Sequence, residues 1–502
     1  MAKTKTPAAA PVKKKTKKQL HKEAWLAGNV HVSVAQVMQT ALADARLVFK
    51  DDSISTAGEA GGMVIGVPLP AFSAEYVLQN TVFPLERVSQ TVGIQGVCKS
   101  GLGFEIARWF RKFSHGVATL FEHENKLSSD WPMSIIGWDD PDALGIIPCG
   151  SVDDWQKKLL WMEEKVKRMM TGTKTEPGSG RVWPWLGIVD SVMGFASAET
   201  QAKIQSKGFA GRARPEEARM ITAFLRHLPE TLRGWPISVI TVNHLKPNKD
   251  EHTGATIRSK TGGRGLDFME TFEIEMAAME HKKIRTSTYE GMRLKMSCKK
   301  NSLGTTDRWT PINVTWWEEE VFDAKLNDTA WRQITLWDWF DASMRLLLLM
   351  PKTEEPKAKR LAEIIRVQPV TGGKVVCKEL GITKASPLSY REAGMVLQET
   401  PEVLDALRRL FGVKVRATFD NSVDYRKQRV MEKMRIKGRI SPISRADRRA
   451  VQLKHDKAQP LRPQPPHPPK PTHPSKYAAL RKKKPDLEIE LEGSDDEIVL
   501  EE

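Results

Sequence analysis

The chain has 502 residues, with 78 Lys and Arg against 62 Asp and Glu and a formal net charge of +16. That length exceeds one ordinary domain, and the basic excess points to a polyanionic partner, nucleic acid first, without dictating a fold. Cys98, Cys149, Cys298 and Cys377 lie far apart with no CxxC pair, no apolar run reaches the ~20 residues that cross a bilayer, and the lysine-rich start lacks the apolar stretch of a signal peptide. Zinc frameworks, disulfide scaffolds and helical membrane spans are thereby disfavoured, and a reducing cytoplasm is the expected place.

Residues 1–20 read as a disordered basic arm: the first 18 carry seven lysines and no acid, a composition that cannot nucleate a core. Residues 21–90 form a small N-terminal element, a candidate polymerisation contact, with a helix expected over Ser33–Phe49 and a break at Gly58, Gly61 and Gly62. Over 91–315 short apolar runs (VGIQGV, ATLFEHE, GIIPC, WLGIVDS, ISVITVNH, DFMETFEIEM, GMRLKMSC) alternate with helical patterns. One such helix is Pro215–Leu228, where Ala218, Ile221, Leu225 and Leu228 recur at helical spacing. The rhythm predicts an α/β fold, a mainly parallel sheet whose last strands turn antiparallel, with strand carboxyl ends side by side where such sheets hold ligands.

Residues 316–420 read as a helical C-terminal module opening on a Trp-rich run, its tryptophans expected in the core. Residues 421–457 form a basic segment, with ten Arg or Lys against two acids over 426–449. Residues 458–502 form a Pro-rich linker and an acidic tail with nine acids from Asp486 onward. Both charged ends are expected to be disordered, and the tail can compete with phosphate for the chain's own basic surface or contact a replication or repair protein.

The first constellation that carries chemistry is Gly96-Val97-Cys98-Lys99-Ser100-Gly101-Leu102-Gly103, between a strand and a helix (FEIARWFRKF). A Gly-rich turn there lets backbone N–H groups close on phosphate oxygens at the positive end of a helix. The P-loop pattern would put Lys at 102 and Ser or Thr at 103. Leu102 and Gly103 stand there instead, and Lys99 is the candidate substitute. Downstream, Phe121-Glu122-His123-Glu124 at a strand end offers a carboxylate to orient an attacking water. Gly187-Ile188-Val189-Asp190-Ser191 closes an apolar strand on an acid suited to hold Mg²⁺ through water. Ile240-Thr241-Val242-Asn243-His244 ends another strand in two polar side chains.

In the order of these motifs the sequence resembles the RecA family, in a form typical of bacteriophages, over residues 60–310. WLGIVDSVMG, VNH before a long polar loop, TGGRGLDFMETFEIEM and MSCKKNSLG carry the match. The resemblance implies ATP and Mg²⁺ as cofactors, Glu124 as catalytic carboxylate, Asp190 as the metal-supporting acid and His244 as the link between nucleotide and DNA. It puts Lys300 (with Ser302 where a second lysine would stand) towards a neighbouring protomer's nucleotide. It further implies a filament of many copies on single-stranded DNA, duplex DNA as a second partner, strand exchange as the activity, and a host cytoplasm.

Two basic, Gly-bearing loops would grip the DNA. Lys203, Lys207, Arg212 and Arg214 fall in 195–214, and Lys246, Lys249, Arg258, Lys260, Gly262, Gly263 and Arg264 in the stretch that begins at 245. Lysine and arginine neutralise phosphates while glycine lets the backbone follow the strand. Aromatics are scarce there, which favours backbone contact without sequence preference. Because Leu102 and Gly103 remove a lysine and a hydroxyl from the phosphate loop, a non-hydrolysing coating or mediator protein stays open as a second reading, and a hexameric helicase as a third.

Overall fold

A computed structural model describes residues 64–123, 130–139, 144–171, 183–192, 214–249, 256–260, 269–285 and 288–436. The expected basic arm, the helix over 33–49 and the Pro-rich and acidic segments lie outside them.

The described chain opens with β1 (Ile65–Pro68), α1 (Phe72–Leu78), β2 (Val82–Pro84) and β3 (Val88–Gly93). There follow α2 (Lys99–Ser114), β4 (Val117–Glu122), α3 (Asp130–Ile136), β5 (Leu144–Pro148), α4 (Val152–Thr171), β6 (Trp185–Asp190) and α5 (Arg214–Leu232). Strands then dominate: β7 (Ile237–Lys249), β8 (Thr256–Lys260), β9 (Glu270–Arg285), β10 (Glu290–Asn301), β11 (Arg308–Asp323) and β12 (Asp328–Trp337). The last part holds α6 (Trp339–Thr353), α7 (Glu355–Ile364), β13 (Gln368–Val370), β14 (Lys374–Val376), β15 (Leu388–Ser389), α8 (Tyr390–Glu399), α9 (Pro401–Phe411), β16 (Ala417–Thr418) and α10 (Tyr425–Ile436).

The protein is α/β, built on one ten-stranded sheet in the order β12-β11-β10-β9-β3-β7-β6-β4-β5, with β8 beside β7. From β9 to β5 every neighbour is parallel, whereas β9 through β12 form an antiparallel wing. Parallel strands buried on both faces should read as near-continuous apolar runs, and Leu186, Ile188, Val189, Ile237, Val239, Ile240 and Val242 are all buried. One face carries α2, where a Cβ on Gly103 would come 3.2 Å from Ile188. The other carries α4 and α5, which meet through the edge-on rings of Trp155 and Phe224 at 4.7 Å; a Cβ on Gly187 would touch Met162 of α4.

The Trp-rich run departs from expectation. Residues 316–323 and 328–337 are strands joined by a turn, not the start of a helical module: β11 pairs with β10 from Trp316 back to Arg308 and with β12 over its second half. In β12, Trp331, Gln333 and Thr335 alternate with Arg332, Ile334 and Leu336, a two-residue period rich in aromatic and β-branched side chains. Helix begins at Trp339, where the Asp338 carboxylate accepts the Asp341 N–H at 3.0 Å.

The rest of the C-terminal part is not a detached module. β16 pairs with β1, and Arg408 of α9 forms a paired hydrogen bond with the buried Glu75 of α1 at 2.7 and 2.5 Å. The described residues cluster as one compact unit, so the first residues of the expected basic segment belong to the folded body through α10.

Candidate functional site

Strand order decides where a ligand can sit. From β3 the chain crosses through α2 to β4 on one side, and from β7 it returns to β9 on the other, so the crevice at the carboxyl ends of β3 and β7 is a topological switch point. Three of the expected motifs end there. Gly93 pairs with His244, and across β6 and β4 the final residues Asp190 and Glu122 are register partners.

The turn after β3 is shaped by backbone. A Cβ on Gly93 would lie 2.4 Å from the Met276 carbonyl, so only glycine lets β3 run this close to β9. Gly96 has φ +79°, which favours glycine. Cys98 is left-handed (φ 53°, ψ 36°) and leads directly into helical Lys99. That alternation of handedness builds a concavity of successive N–H groups, at a helix N-terminus with its partial positive charge. The first hydrogen bond within α2 runs from the Leu102 N–H to the Cys98 carbonyl, and no side chain caps the helix.

Each flank of this first turn faces something different. Gly103 abuts Ile188 of β6, two residues before Asp190. On the Cys98 and Gly101 side lies a cavity of about 220 Å³, walled by Trp131, Met292, Trp316 and Trp337 among others. Burial, opposed by the Lys99 charge, pushes the Cys98 thiol up to about 11, and its Sγ lies 3.6 Å from Met292 Sδ. It is a wall residue, held as a thiol at neutral pH, and not a nucleophile.

The loop's cation is placed otherwise than expected. Lys99 is buried, and its Nζ donates to the Ile94 carbonyl at 2.5 Å, so the ammonium ties the turn to its own start. Leu102 is fully buried in the main core, and the position that a P-loop lysine would use is therefore packing. The residues fit a phosphate cradle made of backbone; they do not supply a lysine reaching over the β/γ-phosphates. Among the described residues no group of three His, Cys, Asp or Glu converges on a metal position.

The remaining expected residues divide three ways. Glu124 lies outside the described residues, as do Lys203, Lys207, Arg212, Gly262, Gly263 and Arg264; Arg214 opens α5. Glu122, passed over in favour of Glu124, is the acid that the ladder sets beside Asp190, and its carbonyl accepts the Cys149 N–H at 2.7 Å. His244 is half-buried, its N–H held by Asn243 Oδ1 at 2.8 Å.

The stretch expected as a loop over 245–263 is in part an antiparallel ribbon, with Leu245 opposite Lys260 and Lys249 opposite Thr256. Lys246, Lys249 and Arg258 therefore stand on a ribbon. Lys260 does not offer a free charge: its Nζ lies 2.6 Å from Glu273 and 3.8 Å from Glu270. Lys300 pairs with Glu273, which pairs with Gln90, so it sits towards the amino ends of the parallel strands and is not brought to the crevice of its own chain.

No family model matches the chain, and no curated protein matches its sequence. No helix among the described residues is long and apolar enough to cross a membrane.

Proposed function

We propose that the chain is a RecA-like recombinase of the phage type, which coats single-stranded DNA as a filament and holds ATP with Mg²⁺ at the carboxyl ends of β3, β7, β6 and β4. The observation that carries this reading is the convergence of the N–H cradle at α2, Asp190, Glu122 and His244 on one edge of a mainly parallel sheet, at its switch point. The triphosphate would lie over the first turn of α2. Its outer phosphates and Mg²⁺ would face Asp190 and Glu122, in keeping with magnesium's habit of taking one or two carboxylates plus phosphate oxygens. The tryptophan-walled cavity on the opposite flank suits a planar base. DNA would run over the basic stretches 195–214 and 245–264, and His244 at the base of the second would link them to the nucleotide.

One observation favours a second reading, a DNA-coating or mediator protein that binds nucleotide without turning it over. With Leu102 in the core and Lys99 tied to Ile94, the charge that most stabilises phosphoryl transfer is missing from the cradle. Phosphate release from ATP with Mg²⁺, with and without single-stranded DNA, on the intact chain and on Glu124→Gln and Glu122→Gln, separates the two. DNA-stimulated release abolished by one carboxamide identifies a motor and its carboxylate. Tight DNA binding with release at background establishes the coating protein, and an absence of both nucleotide and DNA binding sinks the RecA-like reading.

A further inference from the structure

The antiparallel wing continues past the carboxyl ends of the parallel strands: Val92 near the end of β3 pairs with Glu275, while β9 runs on to Arg285. Trp316 is the last β11 residue paired to β10, so Trp317–Asp323 pair with β12 alone and the wing ends as a two-stranded ribbon. Its tip exposes Phe322 (50 %), Leu326 (57 %) and Trp331 (53 %). Phe322 stands opposite Thr329 and Glu320 opposite Trp331, which puts both aromatic rings on one face. Glu318 and Glu320 share that face and are exposed, Asp328 and Lys325 are exposed at its turn, and Glu319 is exposed on the reverse side. This is an acidic aromatic surface on a chain of net charge +16, the wrong sign for a nucleic acid.

A complementary surface lies at the other end of the sheet. α10 buries Tyr425, Gln428 and Glu432, and turns outward Lys427, Val430, Met431 and Met434, an i, i+3, i+4, i+7 stripe that is exposed at every position. Arg426 is exposed beside it. The helix is anchored at the strands' amino ends: the Tyr425 hydroxyl donates to Glu86 at 2.8 Å, Arg429 lies 3.0 Å from the same carboxylate, and Arg426 covers the Trp235 ring. Glu86 and Trp235 immediately precede β3 and β7.

We propose that the β11–β12 ribbon of one copy seats on the outward face of α10 of a second copy, so that the chain assembles head to tail along the strand direction. Apolar groups clustered at helical spacing on a surface mark an interaction site, and methionine is an adaptable partner for aromatic rings. The glutamates meet Arg426 and Lys427, which gives the contact its polarity and discriminates against ribbon-to-ribbon pairing. The two surfaces lie at opposite ends of one molecule, and such a heterologous contact builds open filaments or rings rather than closed two-fold dimers. This contact involves no residue of the phosphate-loop crevice.

Sedimentation velocity on the nucleic-acid-free full chain tests it, with a ribbon variant (Glu320→Lys, Trp331→Ala) and a helix variant (Lys427→Glu, Met431→Ala). All these positions are exposed, and circular dichroism checks that each variant folds. The wild type is expected to form a concentration-dependent series beyond the dimer, and each variant to associate at least ~10-fold more weakly. An equimolar mixture should stop at a 1:1 dimer, because that pair retains one intact ribbon and one intact helix. A monomeric wild type, a series that ends at a two-fold dimer, variants that assemble like the wild type, or a mixture without the dimer overturns the proposal.

Discussion

Glu270 at the foot of β9 should make the fold lose stability as pH rises, and Glu270→Gln should abolish that loss. The carboxyl is fully buried, no donor reaches either oxygen while the protonated form hydrogen-bonds the Glu273 side chain, and Lys260 Nζ stands 3.8 Å away while bonding more closely to Glu273. Desolvation dominates: against the opposing charges of Lys260 and Lys300, and helped by Glu273, it pushes the carboxyl from 4.5 up to about 9. The folded chain thus holds a proton that the unfolded chain releases above 4.5. Stability from this group is complete below that pH and falls as pH climbs towards 9, by at most ~1.4 kcal/mol per unit. From pH 6 to 8 the loss approaches ~3 kcal/mol. The amide is isosteric with the neutral acid, so the variant should be nearly flat across this window and gain on the wild type as pH rises. Urea midpoints at pH 5.5, 6.5, 7.5 and 8.5 read the difference directly. A wild type whose midpoint rises over that range, or a gap between the two proteins that does not change with pH, refutes the argument.

Restoring a P-loop lysine should fail. Leu102 is fully buried, and an ammonium there would shift its pKa by ~3–5 units, a cost of roughly 4–7 kcal/mol. Leu102→Lys is expected to lower the thermal midpoint sharply with no gain in phosphate release; a stable, faster enzyme would show that the side chain can turn out of the core. Glu75→Leu leaves the buried Arg408 only the exposed Asp405 carboxylate as a partner, and should cost about 3 kcal/mol in urea titration. The double change Glu75→Leu with Arg408→Met should recover most of that, and no recovery would mean that the pair is needed for shape rather than charge.

The parallel strands were legible because burial on both faces demands uninterrupted apolar runs: ISVITV and WLGIV cannot be read as half-exposed surface. TAWRQITLW was misread because Ala330, Trp331, Ile334 and Trp337 recur at helical spacing, whereas its apolar residues do not keep to one parity as a half-buried strand's would. Pairing with β11, whose earlier half pairs with β10, decided between them, and that contact is long-range. The same limit explains Glu122. Two glutamates flank His123, and only the β4–β6 register selects the first as the partner of Asp190. Lys260 looked like a DNA contact because its acidic partner, Glu273, lies on another strand, 13 residues further along the chain.

The cradle and the buried leucine bear on each other. In a P-loop the lysine contributes both to holding the triphosphate and to stabilising charge as the γ-phosphoryl leaves. Here the holding role can pass to backbone N–H groups, since Cys98 and the first turn of α2 keep their geometry whatever stands at 102. The second role cannot pass to them as readily, because peptide dipoles at a helix end carry about half a charge and act mainly within one turn. Lys99 would have to leave the Ile94 carbonyl to supply the rest, opening the turn that its own bond closes. If this turn holds a triphosphate, binding and turnover are separable in this sequence in a way they are not in an ordinary P-loop. A chain with this loop, if it coats DNA under nucleotide control, would reset by nucleotide dissociation as much as by hydrolysis.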